Sequence, residues 1–169
     1  MNRNHGTGST MMKKGGFSLI EVLIAVVLVG LAIASLVVAN SSFTMANGAG
    51  ADLSTAEFLA EQVRELTALL PVVDPETETD TFGAEEATLA GYDDLDDFDG
   101  QTFSPPISAG RAVLNDFAAF GQHVTVENVS ASDFEQPAPD HGSAFVKVTV
   151  RVLLNSKELS SSSWLRARY

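Results

Sequence analysis

The sequence predicts an α+β protein in which a long N-terminal helix, membrane-spanning in its first half and amphipathic in its second, packs on a small antiparallel sheet. Three observations carry that expectation. Residues 22–39 form an eighteen-residue run with Ser35 as its only polar side chain, about the length that crosses a hydrocarbon core of ~30 Å at ~1.5 Å per residue. Leu53, Ala56, Leu59, Ala60, Val63, Leu66, Thr67 and Leu70 then recur at three- and four-residue spacing, the mark of a helix with one buried face. Near the C-terminus Val146, Val148, Val150, Val152 and Leu154 alternate with Phe145, Lys147, Thr149, Arg151 and Leu153, the two-residue period of a strand with one core face.

The first element is framed by charge. Arg3, Lys13 and Lys14 precede it and no acid occurs before Glu21, so the positive-inside bias keeps the N-terminus cytoplasmic and sends the C-terminal bulk across. In an ordinary secretory signal a small-residue cleavage site follows the apolar region. Here Gly15-Gly16 precedes it and nothing of A-x-A type follows closely, which implies that the helix is retained. Glu21 is the exception within the apolar stretch; a carboxylate at such depth costs roughly 2.5–3.5 kcal/mol on insertion scales and marks function. Two readings of it remain open: pairing with an amine, or snorkelling to the headgroups near the helix end.

The ordered run of basic leader, Gly15-Gly16, Phe17, Ser18-Leu19-Ile20, Glu21 and apolar helix resembles the type IV pilin and type II secretion pseudopilin superfamily over roughly residues 13–45. The resemblance implies a prepilin leader of residues 1–16, cut by a prepilin peptidase between Gly16 and Phe17, with Phe17 then N-methylated. It makes Glu21 the assembly carboxylate, paired with the amine at Phe17 on its own or a neighbouring subunit. It also implies a pilin-like lollipop: a transmembrane and assembly helix at 17–39, an amphipathic continuation at 40–70, and a periplasmic domain at 71–169. The chain would be a single-pass inner-membrane protein that moves into a periplasmic or cell-surface filament with other pilins or pseudopilins. Ala56-Glu57-Phe58-Leu59-Ala60-Glu61 and the residues up to Leu66 are similar to the segment after the membrane helix in I-type minor pseudopilins and V-type minor pilins. That likeness implies a minor subunit acting in filament assembly or tip initiation.

Composition narrows the partners. The 169 residues carry a net charge of −12, and losing Arg3, Lys13 and Lys14 with the leader leaves seven basic against twenty-two acidic side chains. Nucleic acid is an unfavourable partner for such a surface as a whole. A second function class stays open even so: a DNA-uptake pilus subunit contacting DNA through Lys147, Arg151, Lys157, Arg166 and Arg168, which oppose only Glu158 in the C-terminal hairpin. The competing use of that basic face is attraction to an acidic loop of the same or an adjacent subunit. With no cysteine in the chain, neither a disulfide framework nor a thiolate metal site exists.

Between the two halves of the helix, Asn40-Ser41-Ser42 and Asn47-Gly48-Ala49-Gly50 predict a bend or melted turn, because each interior glycine costs ~1 kcal/mol relative to alanine. Asp52 is then the expected N-cap of a resumed helix, and Pro71 its stop. Gly30 reads equally as a helix-packing glycine or a soft point. For the sheet, the sequence predicts a three-strand meander over 123–169: one strand on Val124 and Val126, a Pro-containing loop at 133–142, the valine strand, a turn at 155–158, and a last strand around Leu165 and Ala167.

The segment at 74–100 is acidic. Eleven carboxylates fall between Asp74 and Asp99, and no Lys or Arg occurs between Arg64 and Arg111, so the run must be solvated or neutralised. Tyr92, Leu95 and Phe98 interleave with the acids at three-residue spacing, which predicts a packed turn. Asp93, Asp94, Asp96, Asp97 and Asp99 offer five carboxylates in seven residues, the oxygen-rich ligand set that calcium takes. The EF-hand pattern fails, since Leu95 and Pro106 stand where its first Asp and its bidentate Glu belong. Major pseudopilins of type II secretion bind calcium in an acidic loop, yet no residue-level motif of theirs transfers to this chain.

Enzymatic activity is not expected. His123 falls in strand alternation, His141 in a loop, and Ser161-Ser162-Ser163 at the head of a strand without a strained turn. Zinc needs more ligands than two such histidines supply.

Overall fold

The computed structural model describes residues 15–72, 84, 86–140 and 142–168. The leader cations Arg3, Lys13 and Lys14, the acids at 74–80 and 85, and His141 lie outside the described residues. The chain divides into two units, Met1–Asn47 and Gly48–Tyr169.

One helix, α1, runs unbroken over Leu19–Thr67. Its start is a capping box: the Ser18 hydroxyl accepts the Glu21 N–H at 3.3 Å while the Glu21 carboxylate accepts the Ser18 N–H at 3.4 Å. In the first unit every described residue is exposed, as expected of a segment whose apolar surface is meant for lipid or neighbouring helices rather than its own chain. The 18-residue stretch of highest hydropathy averages 3.1 and makes α1 long and apolar enough to cross a membrane.

The expected interruption at 40–50 does not occur, and Asp52 is an interior helical residue rather than an N-cap. Two isolated glycines cost about 2 kcal/mol at most, and the long helix on either side supplies the cooperativity that absorbs it. Ser42, Thr44 and Thr55 turn their hydroxyls back onto the carbonyls of Val38, Asn40 and Ala51, so polar side chains here follow the helical ladder instead of competing with it.

In the second unit the amphipathic half of α1 buries Ala56, Leu59, Ala60, Val63 and Thr67, while Glu57, Glu61, Arg64 and Glu65 face solvent. The helix stops at Thr67, four residues before Pro71. Its free terminal carbonyls are met by Arg166, whose guanidinium donates to Thr67 O at 2.6 Å and Leu70 O at 2.9 Å.

Five strands form the sheet: β1 (Thr102–Phe103), β2 (Phe120–Ser130), β3 (Asp133–Pro137), β4 (Phe145–Leu154) and β5 (Lys157–Ala167). Their order is β1-β2-β4-β5, with β3 also pairing on β2, and every pairing is antiparallel. The expected three-strand meander is its centre, β2-β4-β5. Its turn is tighter than expected: Asn155 and Ser156 alone reverse the chain with φ of 50° and 66°, the left-handed pair that a two-residue hairpin demands. Strand β5 consequently begins at Lys157.

Part of the expected loop at 133–142 is β3. All five of its residues are exposed, so no burial pattern announces it. It is held from outside, by Phe134 against Phe145 at 5.3 Å between ring centroids and by Glu135 against Lys147 at 3.6 Å.

The core lies between α1 and the sheet. Ala56, Leu59, Ala60 and Val63 from the helix meet Val124, Val126, Val146, Val148, Val150 and Val152 from β2 and β4. Gln122 sits among them with no exposed surface. Its side-chain amide donates to Leu59 O at 2.8 Å and Ile107 O at 3.1 Å, and its carbonyl oxygen accepts the Ile107 N–H at 2.8 Å. One side chain thus joins helix, strand and connecting segment.

Candidate functional site

Two places carry chemistry: the start of α1 and the acidic turn. At the first, Phe17 is 83% exposed and immediately precedes the capping box. Phe17, Glu21, Val22, Ala25, Val26 and Val29 share one side of the helix, so the single acid of the apolar segment stands in an otherwise apolar stripe. A stripe of this kind, exposed along its length among the described residues, is built to meet another surface. Gly30 lies farther along the same segment, and a Cβ there would touch nothing. Within this chain alone its small size serves no close contact.

The acidic turn is anchored by its hydrophobic residues. Tyr92, Leu95 and Phe98 are all core members, Tyr92 meets Phe98 edge-on at 5.2 Å, and the Leu95 N–H donates to Pro71 O at 3.0 Å. Packing them draws the intervening acids inside, so Asp94, Asp96 and Asp97 are each only 1% exposed. A 3₁₀ turn at Asp96–Phe98 is closed reciprocally: Asp94 Oδ1 accepts the Asp97 N–H at 3.1 Å, and Asp97 Oδ2 accepts those of Asp93 and Asp94 at 2.9 and 3.3 Å. Gly100, with φ of 68°, takes the left-handed conformation that lets the chain leave the turn at little steric cost.

Of the five expected ligands, the structure brings Asp93 and Asp97 together and adds Glu86, with one carboxylate oxygen of each within 4.8 Å of the others. Asp94 faces Asp96 instead, and Asp99 accepts the Val126 N–H at 2.8 Å. Glu86 was not among the expected ligands. It lies seven residues before Asp93, and only the turn that folds 86–91 back brings it over. The signal for that turn is Gly91, where a Cβ would stand 3.0 Å from Glu86 Cγ.

The carboxyl groups respond to crowding. Hydrogen bonding to Asp97, then burial, pushes Glu86 up to about 7. Burial, then the neighbouring Asp96, pushes Asp94 up to about 8, so Asp94 holds a proton at neutral pH. Burial, then the charges of Asp97 and Glu86, also raises the Tyr92 hydroxyl. Arg111 is the nearest cation in sequence, yet its guanidinium is taken up by main-chain carbonyls. It donates to Leu89 O at 3.0 Å, to Ala90 O at 2.9 Å and to Tyr92 O, pinning the turn.

The basic hairpin is engaged within its own unit. Lys147 lies 3.8 Å from Glu127 and 3.6 Å from Glu135, Arg151 lies 3.7 Å from Glu158, and Arg166 caps α1. His123 accompanies Thr102 at 2.9 Å across the β1–β2 pair.

An exposed apolar N-terminal helix whose distal turns pack on an antiparallel sheet defines a pilin-like α+β protein. Residues 11–37 match the family model described as the prokaryotic N-terminal methylation motif. This motif is the one that type IV pilins and pseudopilins carry, and it implies processing by a prepilin peptidase and assembly with other pilins. Proteins of this superfamily are structural subunits, and the motif together with α1 indicates single-pass membrane anchoring. No curated protein and no solved structure gives a significant match to the chain.

Proposed function

We propose that the protein is a minor pseudopilin or minor pilin that helps to assemble or initiate the tip of a type II secretion or type IV pilus-like filament. The observation that carries this reading is the motif at residues 11–37 on a helix whose exposed apolar side bears the lone acid Glu21. In this reading the leader is cut between Gly16 and Phe17, Phe17 is N-methylated, and Glu21 pairs with the Phe17 amine of a neighbouring subunit. The helix waits in the inner membrane with the C-terminal domain in the periplasm, then moves into the filament.

Charge supports a minor rather than a major role. Seven basic against twenty-two acidic side chains in the processed chain make copies repel one another, a cost that a homopolymer meets at every step and a mixed tip only once or twice. Among the described residues no strand pairs the outer edge of the long strand β5, which favours cover by a different neighbour. The DNA-uptake alternative is less favoured, because Lys147, Arg151 and Arg166 have internal partners, which leaves Lys157 and Arg168 of the five hairpin cations to carry it.

Quantitative mass spectrometry of isolated filaments tests the assignment. The protein is expected at a small fraction of the major subunit. Recovery as the majority subunit would make it a major pilin and overturn the tip role.

A further inference from the structure

We propose that a small cleft at one end of the sheet binds a neutral sugar ring, as one residue of a glycan. The cleft measures about 290 Å³ and opens between the end of β1, the start of β2 and the β4–β5 turn. Ligand pockets run from roughly 300 to 1,000 Å³, so this one suits a single ring. Thr102, Ser104, Asn155 and Ser156 surround it with hydroxyls and an amide, while Ala118, Ala119, Phe120 and Leu153 give it apolar surface. None of the described residues lining it is charged, in a chain of net charge −12. An ionic ligand would find no counter-charge there. A sugar ring, with an apolar face and a fringe of hydroxyls, matches both kinds of lining.

Two residue choices that the fold does not require both fall on this cleft. Gly121 lies within β2, opposite Leu153, where a glycine weakens the strand for want of a side chain to pack. Its φ is not left-handed, and a Cβ would stand 3.5 Å from Phe103 O and 3.7 Å from Ser104 Cβ, ordinary contact distances. A strand glycine that neither backbone nor crowding demands marks the close approach of something else. Ser156 is the reverse case. It holds φ of 66° at the second position of the two-residue turn, where glycine is favoured, and so keeps its side chain at a steric cost. The Ser104 and Ser156 hydroxyls and the Asn155 side-chain amide form no hydrogen bond with any described residue, whereas the Thr102 hydroxyl is engaged with His123. Three polar groups are thus free to orient a ligand.

Sugar binding here is independent of the filament role. Saturation-transfer NMR on the full processed chain, in a detergent without a sugar headgroup, tests it with glucose, N-acetylglucosamine, cellotriose and chitotriose as probes and a neutral Ala-Ser-Thr peptide alongside. At millimolar concentrations at least one saccharide is expected to bind and the peptide is not. Gly121→Val places a β-favouring side chain in the cleft and is expected to abolish binding. Ser156→Gly removes one hydroxyl and relieves the left-handed strain, so it should weaken binding roughly fivefold, the worth of about one hydrogen bond, while raising the melting temperature. No saccharide signal, a signal that survives in folded Gly121→Val or is undiminished in Ser156→Gly, or binding of the peptide in place of the sugars would overturn the site.

Discussion

Glu21→Ala is expected to insert into the membrane as well as the parent and to fall at least tenfold in filaments recovered by shearing or cross-linking. Insertion should not suffer, because deleting the carboxylate removes a penalty of roughly 2.5–3.5 kcal/mol. Assembly should suffer, because a helix whose buried amine meets no carboxylate leaves one charge unpaired, a loss of about 3–5 kcal/mol. The capping box complicates the reading, since Glu21 also accepts the Ser18 N–H and a lost cap alone frays the first turn at a cost of ~1 kcal/mol. Glu21→Gln separates the two effects: it keeps an acceptor for Ser18 and loses the charge. Incorporation of the Gln variant at the parental level would show that capping is the whole role of this residue.

Gln122→Leu is expected to destabilise the second unit by about 2–4 kcal/mol, as it strands the Ile107 N–H at roughly 1–3 kcal/mol and removes the bonds to Ile107 O and to Leu59 O, the latter keeping its helical partner, at ~1 kcal/mol each. Leucine fits the volume, so the loss would come from hydrogen bonding rather than from a cavity. Urea unfolding followed by the fluorescence of Trp164, which packs against the core with Arg64 5.9 Å from its ring, gives the number. A loss below about 1 kcal/mol would mean that the amide does not join helix, strand and connecting segment as described.

These two positions show how unevenly the structure was legible in the sequence. Period alone revealed the buried stripe from Ala56 to Thr67 and the valines of β4, because each repeats one burial choice many times. Gln122 was missed, because the expected meander began at residue 123, although Gln122 has the same parity in β2 as the buried Val124 and Val126. What it binds there depends on Leu59 and Ile107, which are distant in sequence. Strands β1 and β3 were hidden because two residues, or five exposed ones ending in proline, show no pattern of their own. The glycines at 48 and 50 misled in the other direction, since local propensity yields to a cooperative helix of 49 residues. In the acidic turn, spacing disclosed the packing of Tyr92, Leu95 and Phe98, whereas the convergence of Glu86 on Asp93 and Asp97 required the fold of residues 86–91.

The intact mass of the protein purified from membranes of cells with an active prepilin peptidase shows whether the leader is removed between Gly16 and Phe17. The expected chain begins at Phe17 and carries one methyl group on its amine. A mass that still includes residues 1–16 would contradict it.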